Sequence, residues 1–113
     1  MFAAVLAVAV AASPEPLACN LHALDPAQRA RHQVLTEKLR TSVVELRELD
    51  TGFGLHVDAS KMPLTELAEW IDAERRCCPF LTLELATEPH QGPVWLRLTG
   101  PAGAKELLRA ELR

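Results

Sequence analysis

Apolar side chains recur along this chain with two different periods. Between Asp25 and Arg40 they fall three and four apart, at Ala30, Val34, Leu35 and Leu39, the spacing of one helix face. Asp25-Pro26-Ala27-Gln28 supplies its start: Asp as N-cap, Pro at the first helical position, and Gln closing a capping box. From Ser42 to Glu48 the pattern alternates, with Val44, Leu46 and Glu48 opposite Val43, Glu45 and Arg47. Asp50-Thr51-Gly52 reads as a turn, and Phe53 to Val57 as the returning strand of a hairpin. Helical spacing resumes after Pro63 with Leu64, Leu67, Ala68, Trp70 and Ile71 on one face. Arg75 and Arg76 fall in the last turn, where cations suit the negative end of the helix dipole, and Pro79 stops the helix. Phe80 to Leu85 and Val94 to Leu98 form a second hairpin around His90-Gln91-Gly92-Pro93. A last helix starts at Gly100-Pro101 and runs through Leu107, Leu108 and Leu112.

The predicted order is α-ββα-ββα, an α+β protein with a four-stranded, mainly antiparallel sheet and helices packed on one face. The two ββα units look like a degenerate repeat, since Val44-Glu45-Leu46 parallels Leu83-Glu84-Leu85 and Leu67-Ala68-Glu69 parallels Leu107-Leu108-Arg109. With 113 residues the chain supports one domain, read as 17–113, behind an apolar leader at 1–16. Met1 to Ala12 carries no charged side chain but is shorter than the ~20 residues of a spanning helix, so no transmembrane span is expected. It suits the apolar region of a signal peptide, followed by small residues at Ala11, Ala12 and Ser13, although no Lys or Arg precedes it. Cleavage there makes the protein periplasmic or exported; the alternative is a cytoplasmic chain with an apolar arm.

Formal net charge is −3, with acids and bases interspersed, and no basic stripe exists to neutralise phosphates. Nucleic acid is therefore not an expected partner. A homodimer is compatible with the sequence. No Ser-His-Asp order, glycine-rich phosphate loop or H-E-x-x-H motif is present.

The chemistry that remains belongs to three cysteines. Cys77 and Cys78 end a helix just before strand entry, a junction that presents side chains to ligands. Adjacent cysteines can share one soft ion, such as Zn(II), Cu(I) or Hg(II), or close a vicinal disulfide. Arg75 and Arg76 favour thiolate there by charge, while the helix dipole opposes them. Cys19-Asn20-Leu21-His22 adds a third thiol and an imidazole, completing a Cys3His set suited to tetrahedral zinc; His32 is the other candidate fourth ligand. Glu74, one turn before Cys78, is an acid/base or hard-ligand candidate, whereas His56 and His90 read as structural or exposed.

Three readings follow. The first is a non-enzymatic binder of a soft metal or a small thiol-reactive ligand through Cys19, Cys77 and Cys78, with His22 or His32 as fourth ligand. The second is a thiol enzyme, a reductase or a lyase, with Cys77 and Cys78 as nucleophile and resolving thiol. The third is an interaction domain whose cysteines simply fill the core, as buried cysteines often do.

Glu74-Arg75-Arg76-Cys77-Cys78-Pro79-Phe80-Leu81, followed by Gly100-Pro101-Ala102-Gly103-Ala104-Lys105, resembles a group of small uncharacterised bacterial proteins. Members carry E-x-x-C-C-P-F and a later G-P-x-G-A-K. Cys19 and the Arg29-Ala30-Arg31-His32 run are similar as well, so the resemblance covers most of the chain beyond Pro16. Such proteins are sometimes met beside heavy-metal, especially mercury, resistance genes. The resemblance thereby implies a thiol role in metal handling.

Overall fold

The expected capping box forms. Asp25 accepts from the Gln28 backbone N–H at 2.8 Å, and Gln28 Oε1 accepts from the Asp25 N–H at 3.0 Å. From that cap α1 runs over Pro26–Ser42 and passes directly into strand β1, Val43–Leu49. β2 follows at Gly52–Val57, α2 at Leu64–Cys77, β3 at Thr82–Thr87, β4 at Val94–Thr99 and α3 at Ala104–Glu111. A short 3-10 helix, Leu21–Ala23, precedes α1. The computed structural model describes residues 17–112, so the leader lies outside the described residues.

The four strands form one antiparallel sheet in the order β1-β2-β4-β3, as the α-ββα-ββα reading requires. Phe53, Leu55 and Val57 pair with Leu98, Leu96 and Val94 across the two central strands. Alternation turns all six to one face, where Leu35, Leu39, Leu67, Trp70 and Leu108 of the helices cover them. The other face carries His56 stacked on Trp95, with the Arg47 guanidinium 4.3 Å from the Trp95 ring.

α1 and α2 lie antiparallel, as four contacts record. Lys38 bonds Glu66 at 2.8 Å, Thr36 accepts from Trp70 Nε1 at 3.0 Å, His32 meets Glu74, and Arg31 bonds Glu69 at 2.7 Å. This packing corrects the helix faces read from sequence. Ala30 and Val34 are exposed, and His32 joins Leu35 and Leu39 in the buried stripe. The reason is rotational: α2 occupies the α1 face that contains His32, which leaves Val34 turned to water. On α2 the buried stripe runs Leu67, Trp70, Ala73, Glu74 and Cys77, while Leu64 and Ala68 are exposed.

β1 is an edge strand with a bulge between Val43 and Glu45, and Val44 and Leu46 stay largely exposed on it. Gly52 opens β2 where a Cβ would meet the Leu98 carbonyl, so the residue type is fixed by backbone approach. No helix among the described residues is long and apolar enough to cross a membrane.

Candidate functional site

Pro79 has no N–H with which to continue α2, and the helix ends on the two cysteines. The Cys78 N–H donates to the Glu74 carbonyl at 2.7 Å, closing the last turn, while Cys78 itself leaves helical geometry at φ −123° and ψ 69°. Cys77 and Cys78 are both buried, at 1% and 0% exposure. Their sulfurs stand 3.8 Å apart.

Cys19 reaches this helix end because the N-terminal segment folds back onto it. The Asn20 N–H donates to the Cys77 carbonyl at 2.7 Å, the 3-10 helix follows, and Leu24 is buried at 2% exposure just before the α1 cap. Cys19 and Cys78 form a disulfide across 59 residues of sequence, leaving Cys77 as the free, buried thiol. The three cysteines singled out in the sequence therefore meet at one place.

His32 arrives from α1. Its Nε2 lies 2.6 Å from Glu74 Oε2, and the two side chains are 6% and 0% exposed. Trp70 stacks against the imidazole with centroids 5.7 Å apart, and the Thr36 hydroxyl donates to the His32 carbonyl at 2.8 Å. Two buried polar atoms of the pair, His32 Nδ1 and Glu74 Oε1, have no protein hydrogen-bond partner. Such atoms are uncommon in folded interiors and call for a proton, a water or an ion.

Glu111, from the end of α3, is the member that sequence reasoning missed. Arg40 Nε donates to its carbonyl at 2.8 Å and holds this helix end against α1. Burial, and then the neighbouring Glu74 carboxyl, push the Glu111 carboxyl up to about 8, against a lowering by Arg40. At neutral pH Glu111 thus keeps its proton and can donate it to Glu74. Nothing in the spacing of α3 signals this, because Glu74 and Glu111 meet only through packing.

At Cys77 the sequence sets Arg75 and Arg76 against the helix dipole, and the structure decides the balance. Burial first, then the charges of Glu74 and Glu111, push its thiol up to about 11, and Arg76 lowers it only slightly. Arg75 and Arg76 do little to favour the thiolate because both side chains are exposed, Arg76 reaching back to Asp72 at 3.6 Å.

Two overlapping ligand sets result. One donor atom each from Cys19, Glu74, Cys78 and Glu111 lies within 4.8 Å of the others, and so do donors of His32, Glu74 and Cys77. His22 belongs to neither set: it is exposed on the 3-10 helix, where its N–H donates to Asn20 Oδ1 at 3.1 Å. His56 lies on the opposite face of the sheet and His90 in the exposed β3–β4 turn. A cavity of about 470 Å³ opens beside the cluster, between α1 and α3, with Cys19, Cys77, Glu74 and Glu111 along its wall.

Chemically, the site has two states. With the disulfide closed, only Cys77 offers sulfur to an ion. With it open, three thiols would stand beside a buried imidazole and two carboxyls, a donor set of the kind that can take a soft ion through sulfur.

No protein-family model, curated protein or solved structure matches the chain.

Proposed function

We propose that the protein binds a soft metal or metalloid ion through Cys19, Cys77 and Cys78 once the Cys19–Cys78 disulfide is reduced. His32 and Glu74 are the supporting donors. The observation that carries this reading is the convergence of all three sulfurs on the buried Glu74 carboxyl, which His32 Nε2 meets at 2.6 Å. Polarisable sulfurs favour Hg(II), Cu(I) and As(III) over hard ions, and a nitrogen or oxygen fourth ligand moves the preference towards Zn(II). The role in heavy-metal handling that the family resemblance implies is part of the proposal, in a setting reducing enough to open the disulfide.

The test is native mass spectrometry of anaerobic protein with Hg(II), Cu(I) and Zn(II), paired with a free-thiol count. The reduced chain is expected to hold one ion and lose its free thiols, and the oxidised chain to hold none. Cys77→Ser and Cys78→Ser should each abolish tight binding. Unchanged stoichiometry in both variants would sink the proposal.

A second reading rests on the 3.8 Å between Cys77 Sγ and the bridged Cys78 Sγ. In thiol–disulfide exchange a Cys77 thiolate attacks Cys78, the new bond joins residues 77 and 78, the old one breaks, and Cys19 leaves as thiolate and takes up the proton. Oxidation state is conserved overall. Peptide mapping of alkylated protein separates the two: a label found only on Cys77 argues against exchange, and one shared between Cys19 and Cys77 supports it.

A further inference from the structure

The cavity beside the sulfurs is far larger than a bare ion requires. A metal or metalloid centre held by three thiolates occupies the gap between the sulfurs themselves, whereas the open space amounts to about 470 Å³. An apolar void of roughly 150 Å³ already accepts a benzene ring. Much of the wall surface is hydrocarbon, from Leu21, 43% exposed, and from Leu107 and Ala110 of α3, while Gln33, Thr36 and Arg40 of α1 line the same cavity. The one cation on this wall, Arg40, is already engaged by the Glu111 carbonyl at 2.8 Å and by Glu37 at 2.7 Å. It is therefore not free to recruit an anionic group. Sulfur from Cys19 and Cys77 beside hydrocarbon from Leu21, Leu107 and Ala110 in one cavity matches a ligand that is soft at one end and greasy at the other.

We infer that the site takes a soft metal or metalloid centre carrying one apolar organic substituent, the centre on the cysteine sulfurs and the substituent against Leu21, Leu107 and Ala110. This rests on the soft-ion reading above and adds the class of ligand. For a trivalent aryl arsenical the step is a condensation: two protein thiols displace two hydroxyls from arsenic as water, two As–S bonds form, the As–C bond stays, and arsenic remains trivalent. No oxidant or reductant enters beyond the phosphine that first opens the Cys19–Cys78 disulfide and becomes its oxide.

The experiment compares phenylarsenic(III), methylarsenic(III) and inorganic arsenite on anaerobically reduced full-length protein freed of phosphine. Each probe competes against a small dithiol, so that intrinsic As–S affinity cancels. The phenyl compound is expected to exceed the methyl compound by about tenfold beyond the ratio the free dithiol shows, a difference in keeping with the hydrocarbon it buries. Gln33→Trp and Gln33→Phe fill the cavity from α1 at a position that is exposed and tolerates a larger side chain. Both should remove the phenyl preference and leave arsenite binding unchanged, which also serves as the folding control. A phenyl-to-methyl ratio equal to that of the free dithiol would overturn the inference while the soft-ion reading stands. The same follows if both Gln33 variants lower all three probes alike. Failure of reduced protein to bind any of the three would remove the soft-ion reading and this inference together.

Discussion

At the scale of single residues, burial governs the chemistry of the site more than formal charge does. Cys77 sits two residues beyond Arg75 and next to Arg76, yet its thiol is pushed up to about 11 because water is excluded and Glu74 and Glu111 stand nearby. Native Cys77 should therefore react with iodoacetamide at pH 7.5 at least about a hundredfold more slowly than a free cysteine, with the rate climbing above pH 10. Stopped-flow alkylation against pH checks this, and a rate plateau near pH 8 would contradict it. The stability that goes with the neutral thiol is complete below about pH 9 and is lost as pH rises towards 11. Glu111 follows the same sign at lower pH. Its carboxyl is raised, so its contribution is complete below the ordinary glutamate range and is lost as pH rises through about 8. Glu111→Gln stays neutral throughout and should be more stable than the parent at pH 8.5 by roughly 1–2 kcal/mol, with no difference at pH 4. That is less than the full shift implies, because Glu111 is partly exposed and water screens its charge. Urea melts at the two pH values measure it.

At the scale of elements, the two hairpins are built differently. The β1–β2 turn ends on Gly52, whose missing Cβ admits the Leu98 carbonyl. The β3–β4 hairpin turns through His90 and Gln91, both at positive φ (59° and 55°), with the Gly92 N–H donating to the Pro89 carbonyl at 3.1 Å. Two consecutive left-handed residues are the pattern of a mirror-image hairpin turn, for which Asn-Gly is the favoured pair. His90 and Gln91 therefore pay conformational strain with side chains that are exposed. His90→Asn with Gln91→Gly should raise stability by about 1 kcal/mol and the melting temperature by several degrees. Calorimetry decides it; an unchanged or lowered midpoint would mean the turn strain is compensated elsewhere.

At the scale of the whole molecule, the Cys19–Cys78 disulfide joins the N-terminal segment to the end of α2 across 59 residues. A loop of that length gives the bridge roughly 4 kcal/mol of stabilisation in the chain-entropy account. Cys19→Ser should lose about that much in a denaturant titration, and reduction of the parent should lose the same. Binding a soft ion across the three thiols would restore much of it, since a ligand that binds only the folded state stabilises by mass action. The proposed function thus has a thermodynamic signature independent of any activity: reduced parent protein gains stability with added ion, and Cys19→Ser gains less.

Most of the architecture was legible in the chain. The capping box at Asp25, the stop at Pro79 and the strict alternation of Val94, Leu96 and Leu98 are local features, set by backbone hydrogen-bond needs and side-chain period, and they appear where the pattern places them. The pairing of Cys77 with Cys78 as the centre of interest was equally local. Rotation and convergence were not. Val34 and His32 both suit a helix face, and which one is buried depends on where α2 lies. Cys19 meets Cys78 because Asn20 anchors on the Cys77 carbonyl, and Glu111 meets Glu74 because Arg40 holds the end of α3. The sequence by itself determined the elements, their order and the three cysteines on which the chemistry centres, because those follow from period, caps and residue type. Only the tertiary structure decided which donors surround the sulfurs and how much water reaches them, because those depend on contacts between residues far apart in the chain.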